Sequence, residues 1–127
     1  MTISDNYKIN VSSQVWYIPA QSDPLANKFV FAYTITINNV GNLSATLIDR
    51  HWIITDSTGK LEEVKGDGVV GESPTLKPGE SFTYTSGSMI ETPTGSMEGS
   101  YGMQAEDGTV FKATIPLFTL SKPNSLH

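Results

Sequence analysis

Apolar and polar residues alternate with a period of two along most of this chain, and no stretch with the period of an α-helix competes with that pattern. The clearest segment runs from residue 28 to residue 40. Its aromatic and β-branched residues at odd positions share one face: Phe29, Phe31, Tyr33, Ile35 and Ile37. Successive side chains of a β-strand point to opposite sides, so the pattern predicts a long strand with one face in a core. The chain is therefore predicted to be all-β.

Turn-forming residues divide the alternating pattern into short segments. We place strands at residues 9–17, 28–40, 44–56, 61–65, 81–86, 97–105 and 111–115. About seven strands without a helix predict a two-sheet β-sandwich of immunoglobulin-like or fibronectin type III-like architecture, and a small closed barrel is the alternative. One such domain accounts for the whole of residues 1–127.

Local composition predicts where the strands end and which of them lie at an edge. The glycine-rich segments 66–79 and 87–95 are expected to be mainly connections, because glycine weakens regular structure. The charges of segment 61–65 suit an edge strand, since they discourage pairing with other chains. Pro116 has no amide hydrogen to donate, so the last strand is also expected to lie at an edge or to change its partner at that residue.

The overall composition excludes several functional classes. Without cysteine, the chain can form no disulfide, thiolate metal site or iron–sulfur cluster. The net charge of -5 does not favour a phosphate backbone or an anionic membrane, so neither nucleic acid nor a membrane is an expected partner. No apolar run approaches the roughly 18 residues of a membrane span, and the first residues do not resemble a signal peptide. We therefore expect a cytoplasmic location.

One motif has the spacing of a nucleotide-binding loop. Gly66, Asp67, Gly68 and Gly71 form part of a G-x-G-x-x-G sequence. Such loops bind phosphate because a helix begins at the glycines and presents its N-terminal amides. Two prolines within residues 72–79 oppose a helix here, so we expect the glycines to let a loop cross one end of the sandwich, and this loop is our candidate for contact with a ligand or partner. A small anion-binding nest of backbone amides is a weaker alternative.

The candidate catalytic groups are few. Asp49 and His51, two residues apart on one strand, should point the same way and could share a metal, but a third ligand would have to come from another strand. The other histidine, His127, is the last residue. No serine lies in a nucleophile elbow, and the carboxylates of Glu62 and Glu63 point to opposite faces of a strand. We therefore expect neither an enzyme nor a metal site, and read Asp49 and His51 as a surface polar pair.

Three residues are predicted to lie in the core or at its border. Arg50 alternates with Ile48 and Trp52, so we expect it to be partly buried in an ion pair, with anion recognition or stacking on an aromatic ring as the alternatives. Trp52 is expected at the centre of the core. Tyr101 is a candidate for the tyrosine whose hydroxyl bonds back to the chain in such sandwiches, and an ordinary core tyrosine is the alternative.

The apolar residues of the 29–37 strand exceed what one buried face needs, because Val30 and Ala32 lie on the opposite side. Either both faces are covered or one strip is offered to a partner. A contact between protein chains through a sheet edge or face is therefore expected.

Several segments, in the order found here, resemble the bacterial ApaG (CorD) family across residues 11–127. They are residues 31–35, 50–55, 64–71, 76–80, 84–87 and 95–101. The resemblance implies a fibronectin type III-like β-sandwich. It also implies protein binding, because a similar domain occurs in eukaryotic F-box proteins and in a polymerase delta-interacting protein. Bacterial members are encoded beside a diadenosine tetraphosphate hydrolase and an rRNA adenine dimethyltransferase, and the name CorD reflects a link to cobalt and magnesium handling.

These observations lead to two functional hypotheses. The first is a non-enzymatic module that recognises another protein through a sheet edge or through the loops at 66–71 and 86–94. The alternative is a protein that binds a phosphate-bearing molecule or a divalent cation. No cofactor is expected, and a second copy of the chain is a further candidate partner.

Overall fold

Two antiparallel sheets form the protein, as seen in a computed structural model that describes residues 3 to 124. The strands are β1 (Ile9–Tyr17), β2 (Phe29–Asn39), β3 (Ala45–Asp56), β4 (Leu61–Asp67), β5 (Thr75–Leu76), β6 (Ser81–Ile90), β7 (Thr94–Ala105) and β8 (Val110–Ser121). Short 3-10 turns lie at Ile3–Asn6, Pro19–Gln21 and Pro24–Ala26. One sheet has the order β1-β2-β6; the other has the order β4-β3-β7-β8, and β5 pairs with the start of β3. The predicted all-β sandwich is confirmed, and the barrel alternative is wrong.

The core lies between the two sheets and is built from the faces that alternation predicted. Phe31, Ile35 and Ile37 of β2 are fully buried. Tyr33 of β2 packs against Trp52 of β3, with 5.4 Å between ring centroids, and also contacts Phe118 of β8. Aromatic contacts of this kind bury large areas and fix the spacing of the sheets. The central position expected for Trp52 is confirmed.

A β-bulge in β3 changes the predicted facing of its first half. Leu47 pairs with Met103 and Asp49 with Gly102, so Ile48 is an extra residue without a partner. The expectation that Ile48 faces the core was wrong: Leu47 is fully buried and Ile48 is exposed. One inserted residue reverses the side to which every preceding residue points.

The two glycine-rich segments contain more strand than expected. β6 continues to Ile90 and β7 begins at Thr94, so the predicted connection at 87–95 is only a short turn. β4 continues to Asp67 and the two-residue β5 follows at Thr75–Leu76, so segment 66–79 is only partly loop. In both cases pairing with a neighbouring strand outweighs the weak local preference of glycine for irregular structure.

The sandwich is closed on one side and open on the other. β1 contacts β8 at the closed side, whereas no comparable contact joins β6 to β4 among the strands described. Pro116 lies in the edge strand β8, as predicted, and the structure adds a bulge beside it. None of the described helices is long and apolar enough to cross a membrane. The open side places β6, β3 and β4 around a cleft.

Candidate functional site

The cleft lies between the β6 edge of one sheet and strands β3 and β4 of the other. It has a volume of about 270 Å³. Its floor and walls are mainly apolar: Tyr33, Trp52, Ile54, Val64, Val69, Val70 and Met97. Arg50 and the hydroxyl-bearing residues Tyr84, Ser86 and Ser88 add polar groups. An apolar pocket with a few converging polar groups is the usual form of a recognition site.

Strand β6 borders the cleft and has one free edge. Ile18 N donates to Val30 O, so even-numbered residues of β2 turn their backbone groups to β1 and odd-numbered ones to β6. The register pairs those odd residues with even residues of β6, as in Tyr33 with Ser86. The other residues of β6 turn their N–H and C=O groups to the free edge: Thr83, Thr85, Gly87 and Met89.

The other sheet edges carry features that oppose pairing, and β6 does not. β4 is charged, with Glu62, Glu63 and Lys65 in its sequence, and β8 contains Pro116 and a bulge. β1 is partly covered by β8. The sequence of β6, SFTYTSGSMI, contains neither a charge nor a proline. Of the four edges described, β6 is therefore the one best suited to accept another strand.

Arg50 connects the cleft to the glycine motif. It lies opposite Gly66 in the register of β3 and β4. Its Nη1 donates to Asp67 O at 2.9 Å and to Gly68 O at 3.0 Å. The ion pair expected for Arg50 is not formed with any residue between 3 and 124. The backbone carbonyls of Asp67 and Gly68 accept the hydrogen bonds that a carboxylate was expected to accept.

The glycine motif forms a strand end and a tight turn, and no helix begins there. Gly66 and Asp67 belong to β4, so placing them in a loop was wrong. Gly68 has a φ of 60° and donates its amide to the carbonyl of the bulge residue Ile48 at 2.8 Å. This amide is therefore not available to an anion nest.

The turn that follows contains a strained residue. Val69 and Glu72 exchange two backbone hydrogen bonds of 2.8 Å, which closes a two-residue turn at Val70 and Gly71. Both central residues have positive φ, 44° at Val70 and 80° at Gly71. This conformation suits Asn-Gly and is unfavourable for a β-branched residue. Val69 is fully buried, whereas Val70 is 55% exposed at the cleft.

One residue that lines the cleft, Tyr84, belongs to a pair of hydrogen-bonded tyrosines. Tyr84 of β6 and Tyr101 of β7 share a hydrogen bond between their hydroxyls. Tyr101 is fully buried and its hydroxyl bonds to this side chain, so the alternative of a core tyrosine is correct and the bond back to the chain is wrong. Burial raises the pKa of Tyr84 to about 12 and that of Tyr101 further.

Asp49 and His51 lie on the outer face of the same sheet, away from the cleft. Asp49 Oδ1 accepts the amide of Gly102 at 3.0 Å, and His51 Nε2 is 3.3 Å from Glu63 Oε2. An open depression brings Asp49 and His51 together with Gly66 and Asp67. Across the described part of the chain, no three His, Asp or Glu side chains are grouped so as to hold a metal ion. His127 lies outside that part.

Sequence reasoning identified only part of the cleft. Segment 86–94 was named as a possible recognition loop, but Tyr84 was assigned to a strand without a role, and the position of these residues opposite Arg50 was missed because it depends on how the sheets pack. The absence of charge and proline from β6 was not a sufficient signal, because the edge strand β1 lacks both as well.

Comparisons with known proteins agree with this architecture. The family model described as the ApaG domain matches residues 19–105. The chain is 56% identical to Protein ApaG of Thiobacillus denitrificans over the full length of both, and 57% identical to Protein ApaG of Nitrosomonas europaea over 95% of both. A crystal structure of the putative ApaA protein from Bordetella pertussis is 47% identical, with a TM-score of 0.90 over 94% of this chain and 97% of that one. The chain belongs to the ApaG family.

Proposed function

We propose that this protein is a protein-binding module that takes up an extended segment of its partner as an added strand at β6. The observation that carries the proposal is the free edge of β6, which offers the backbone groups of Thr83, Thr85, Gly87 and Met89 without a protecting charge or proline. Strand addition uses such groups for affinity and the alternate side-chain pockets for specificity.

The unequal width of the two sheets supports a missing strand at this place. Three strands of one sheet face four of the other, and β1 and β8 align at the closed side. The opposite edge strand β4 therefore extends beyond β6. Its residues are exposed apart from the half-buried Val64 and Gly66. A strand added at β6 would cover β4 and bury Val64.

The rim of the cleft carries an exposed apolar residue that strand addition would bury. Val70 is held in an unfavourable conformation and is 55% exposed at the cleft. Strained, exposed residues that folding alone does not explain are common at binding sites. Outside the cleft, on the outer face of β6, Met89 is also 52% exposed and would be flanked by an added strand.

We further propose that the module is not an enzyme and that it acts in the cytoplasm. His51 bonds to Glu63 on the sheet face opposite the cleft, and the hydroxyls of Tyr84 and Tyr101 bond to each other. Neither arrangement couples a nucleophile to a base. The arrangement of three strands over four also supports a fibronectin type III-like architecture.

Selection of random peptides displayed on phage tests the proposal, since it needs no known partner. Peptides of about twelve residues can cover the ten residues of β6. Selected peptides are then titrated calorimetrically into the wild type, Thr85→Pro and Thr85→Val. Thr85→Pro removes an outward amide and is tolerated on an edge strand, whereas Thr85→Val keeps that amide and the β-branched shape.

We expect Thr85→Pro to weaken binding at least about tenfold and Thr85→Val to have little effect. A failure to enrich any peptide, or equal binding by all three proteins, would contradict strand addition. Parallel titrations with diadenosine tetraphosphate, Mg²⁺ and Co²⁺ address the small-ligand alternative, and sedimentation detects pairing of β6 with a second copy.

A further inference from the structure

We infer that the partner segment carries a carboxylate side chain that enters the cleft and binds Arg50. This inference rests on the strand addition proposed above and specifies the chemistry of the added strand. Three observations carry it: the hydrogen-bonding state of Arg50, the unused hydroxyl hydrogen beside Tyr84, and the size of the cleft.

Arg50 has donors that no described residue uses. Both hydrogen bonds of its guanidinium come from Nη1, which binds the carbonyls of Asp67 and Gly68. A guanidinium has five N–H groups, so those of Nη2 and Nε remain. These two nitrogens form a planar edge that matches the two oxygens of a carboxylate. No carboxylate between residues 3 and 124 occupies that edge.

The tyrosine pair leaves one further donor. Two hydroxyls that share a single hydrogen bond use one of their two hydrogens. Tyr84 and Tyr101 make no other hydrogen bond to the described part of the protein. When Tyr101 donates, the hydrogen of Tyr84 is free, and Tyr84 is the one of the two that lines the cleft. Arg50 and Tyr84 both line the cleft, so we infer that they offer a charged and a neutral donor to the same ligand.

The size of the cleft favours a side chain over a larger ligand. Its volume of about 270 Å³ lies near the lower limit of pockets that hold drug-sized molecules and cofactors, and it suits a single side chain. Val64, Val70 and Met97 provide apolar contact for the methylene groups of a glutamate or aspartate, while its charged end reaches Arg50. These walls exclude water, so a carboxylate that pairs fully with Arg50 is bound strongly, whereas a group that pairs incompletely is penalised. The site therefore discriminates against an amide.

An added strand would deliver such a side chain to the cleft. It would continue the pleat of β6, in which Tyr84, Ser86 and Ser88 face the other sheet. Every second side chain of the added strand would then point toward Arg50 and Val64 across the gap. The net charge of -5 gives an acidic segment no general attraction to the protein, so the recognition depends on Arg50 locally.

A double-mutant cycle tests the inference on peptides from the phage selection. Peptides that bind the wild type are expected to share an aspartate or glutamate at one fixed position. Changing that residue to asparagine or glutamine should weaken binding to the wild type at least about tenfold, but to Arg50→Gln less than about twofold. Tyr84→Phe should reduce the same discrimination in part.

The controls separate this inference from the proposed function. Arg50→Lys keeps the charge without the planar edge, so it should fold like the wild type and retain only part of the preference. Peptides without a fixed acidic position, or equal weakening by the amide in the wild type and Arg50→Gln, would overturn the inference. Loss of binding in Thr85→Pro would then still support strand addition. An unchanged affinity in Thr85→Pro would overturn strand addition itself, and the inference with it.

Discussion

Arg50 and Gly66 face each other across β3 and β4, and the guanidinium of Arg50 occupies the space that a side chain at position 66 would need. A Cβ atom on Gly66 would lie 2.7 to 2.9 Å from three guanidinium atoms. The first glycine of the motif is thus explained by a close approach of a side chain, without a bound nucleotide. The absence of a side chain at position 66 lets Arg50 lie against the carbonyls of Asp67 and Gly68 at the edge of the cleft.

Gly66→Ala is expected to cost about 1 to 2 kcal/mol of unfolding free energy. The clashing atoms belong to the end of a flexible side chain, so Arg50 can move away, but it then loses its two bonds to backbone carbonyls. Gly99→Ala is the matched comparison, because its Cβ would lie 2.0 Å from the carbonyl oxygen of His51. This backbone atom cannot move without disrupting the hydrogen bonds between β3 and β7. Urea unfolding should show a loss of about 3 kcal/mol or more for Gly99→Ala. Equal losses of unfolding free energy in the two variants would contradict the assignment of Arg50 as the group that moves away in Gly66→Ala.

Val70→Asn is expected to stabilise the protein by about 1 kcal/mol, because it relieves a positive φ at a β-branched residue and creates the favoured Asn-Gly turn. The melting temperature should rise by about 4 °C. Val69→Asn is the control: Val69 is fully buried, so the same change one residue earlier should destabilise strongly. If Val70 contributes to the interface, the stabilised variant should also bind peptide less well. A lower melting temperature for Val70→Asn would contradict the claim that the backbone is strained at Val70.

Removing the two buried hydroxyls should have unequal effects. Tyr84→Phe leaves the hydroxyl of the fully buried Tyr101 without a partner, whereas Tyr101→Phe leaves that of Tyr84 close to the cleft. We expect a loss of about 2 to 3 kcal/mol for the first change and about 1 kcal/mol for the second. The double variant should lose less than the sum, because no orphaned hydroxyl remains. Additive losses in chemical denaturation would argue against a shared hydrogen bond.

Stability should fall as the pH rises from about 10 to about 12. Tyrosine in the unfolded chain loses its proton near pH 10, but burial raises the pKa of Tyr84 to about 12 in the folded chain. Between these values the folded chain binds more protons than the unfolded chain, so the free energy of unfolding decreases with pH. The contribution of Tyr84 amounts to about 2 to 3 kcal/mol. Urea unfolding across this range should show a shallower fall for Tyr84→Phe, and equal slopes would contradict the shifted pKa.

The strands were largely predictable because the alternation of apolar and polar residues indicates directly which face of a strand is buried. The segments at 9–17 and 28–40 match β1 and β2 within one residue at each end. The bulge at Ile48 was not predictable, since an inserted residue leaves the composition of the strand unchanged. Glycine and serine at 86–88 masked the second half of β6, which is extended because it pairs with β2.

The site was predictable only in part, for a related reason. The motif at Gly66 to Gly71 was found and its failure to begin a helix was foreseen from the prolines. Its relation to Arg50 depends on the cross-strand register, which places Arg50 opposite Gly66. The cleft itself depends on how three strands are set over four, and no local pattern encodes that offset.

Amide hydrogen exchange of β6, measured by NMR with and without a selected peptide, tests strand addition most directly. In the free protein the amides of Thr83, Thr85, Gly87 and Met89 should exchange faster than those of the alternating residues bonded to β2. Saturation with peptide should protect those four amides and leave the rest of β6 unchanged. Unchanged fast exchange at these four positions, with protection appearing elsewhere in the protein, would contradict the account.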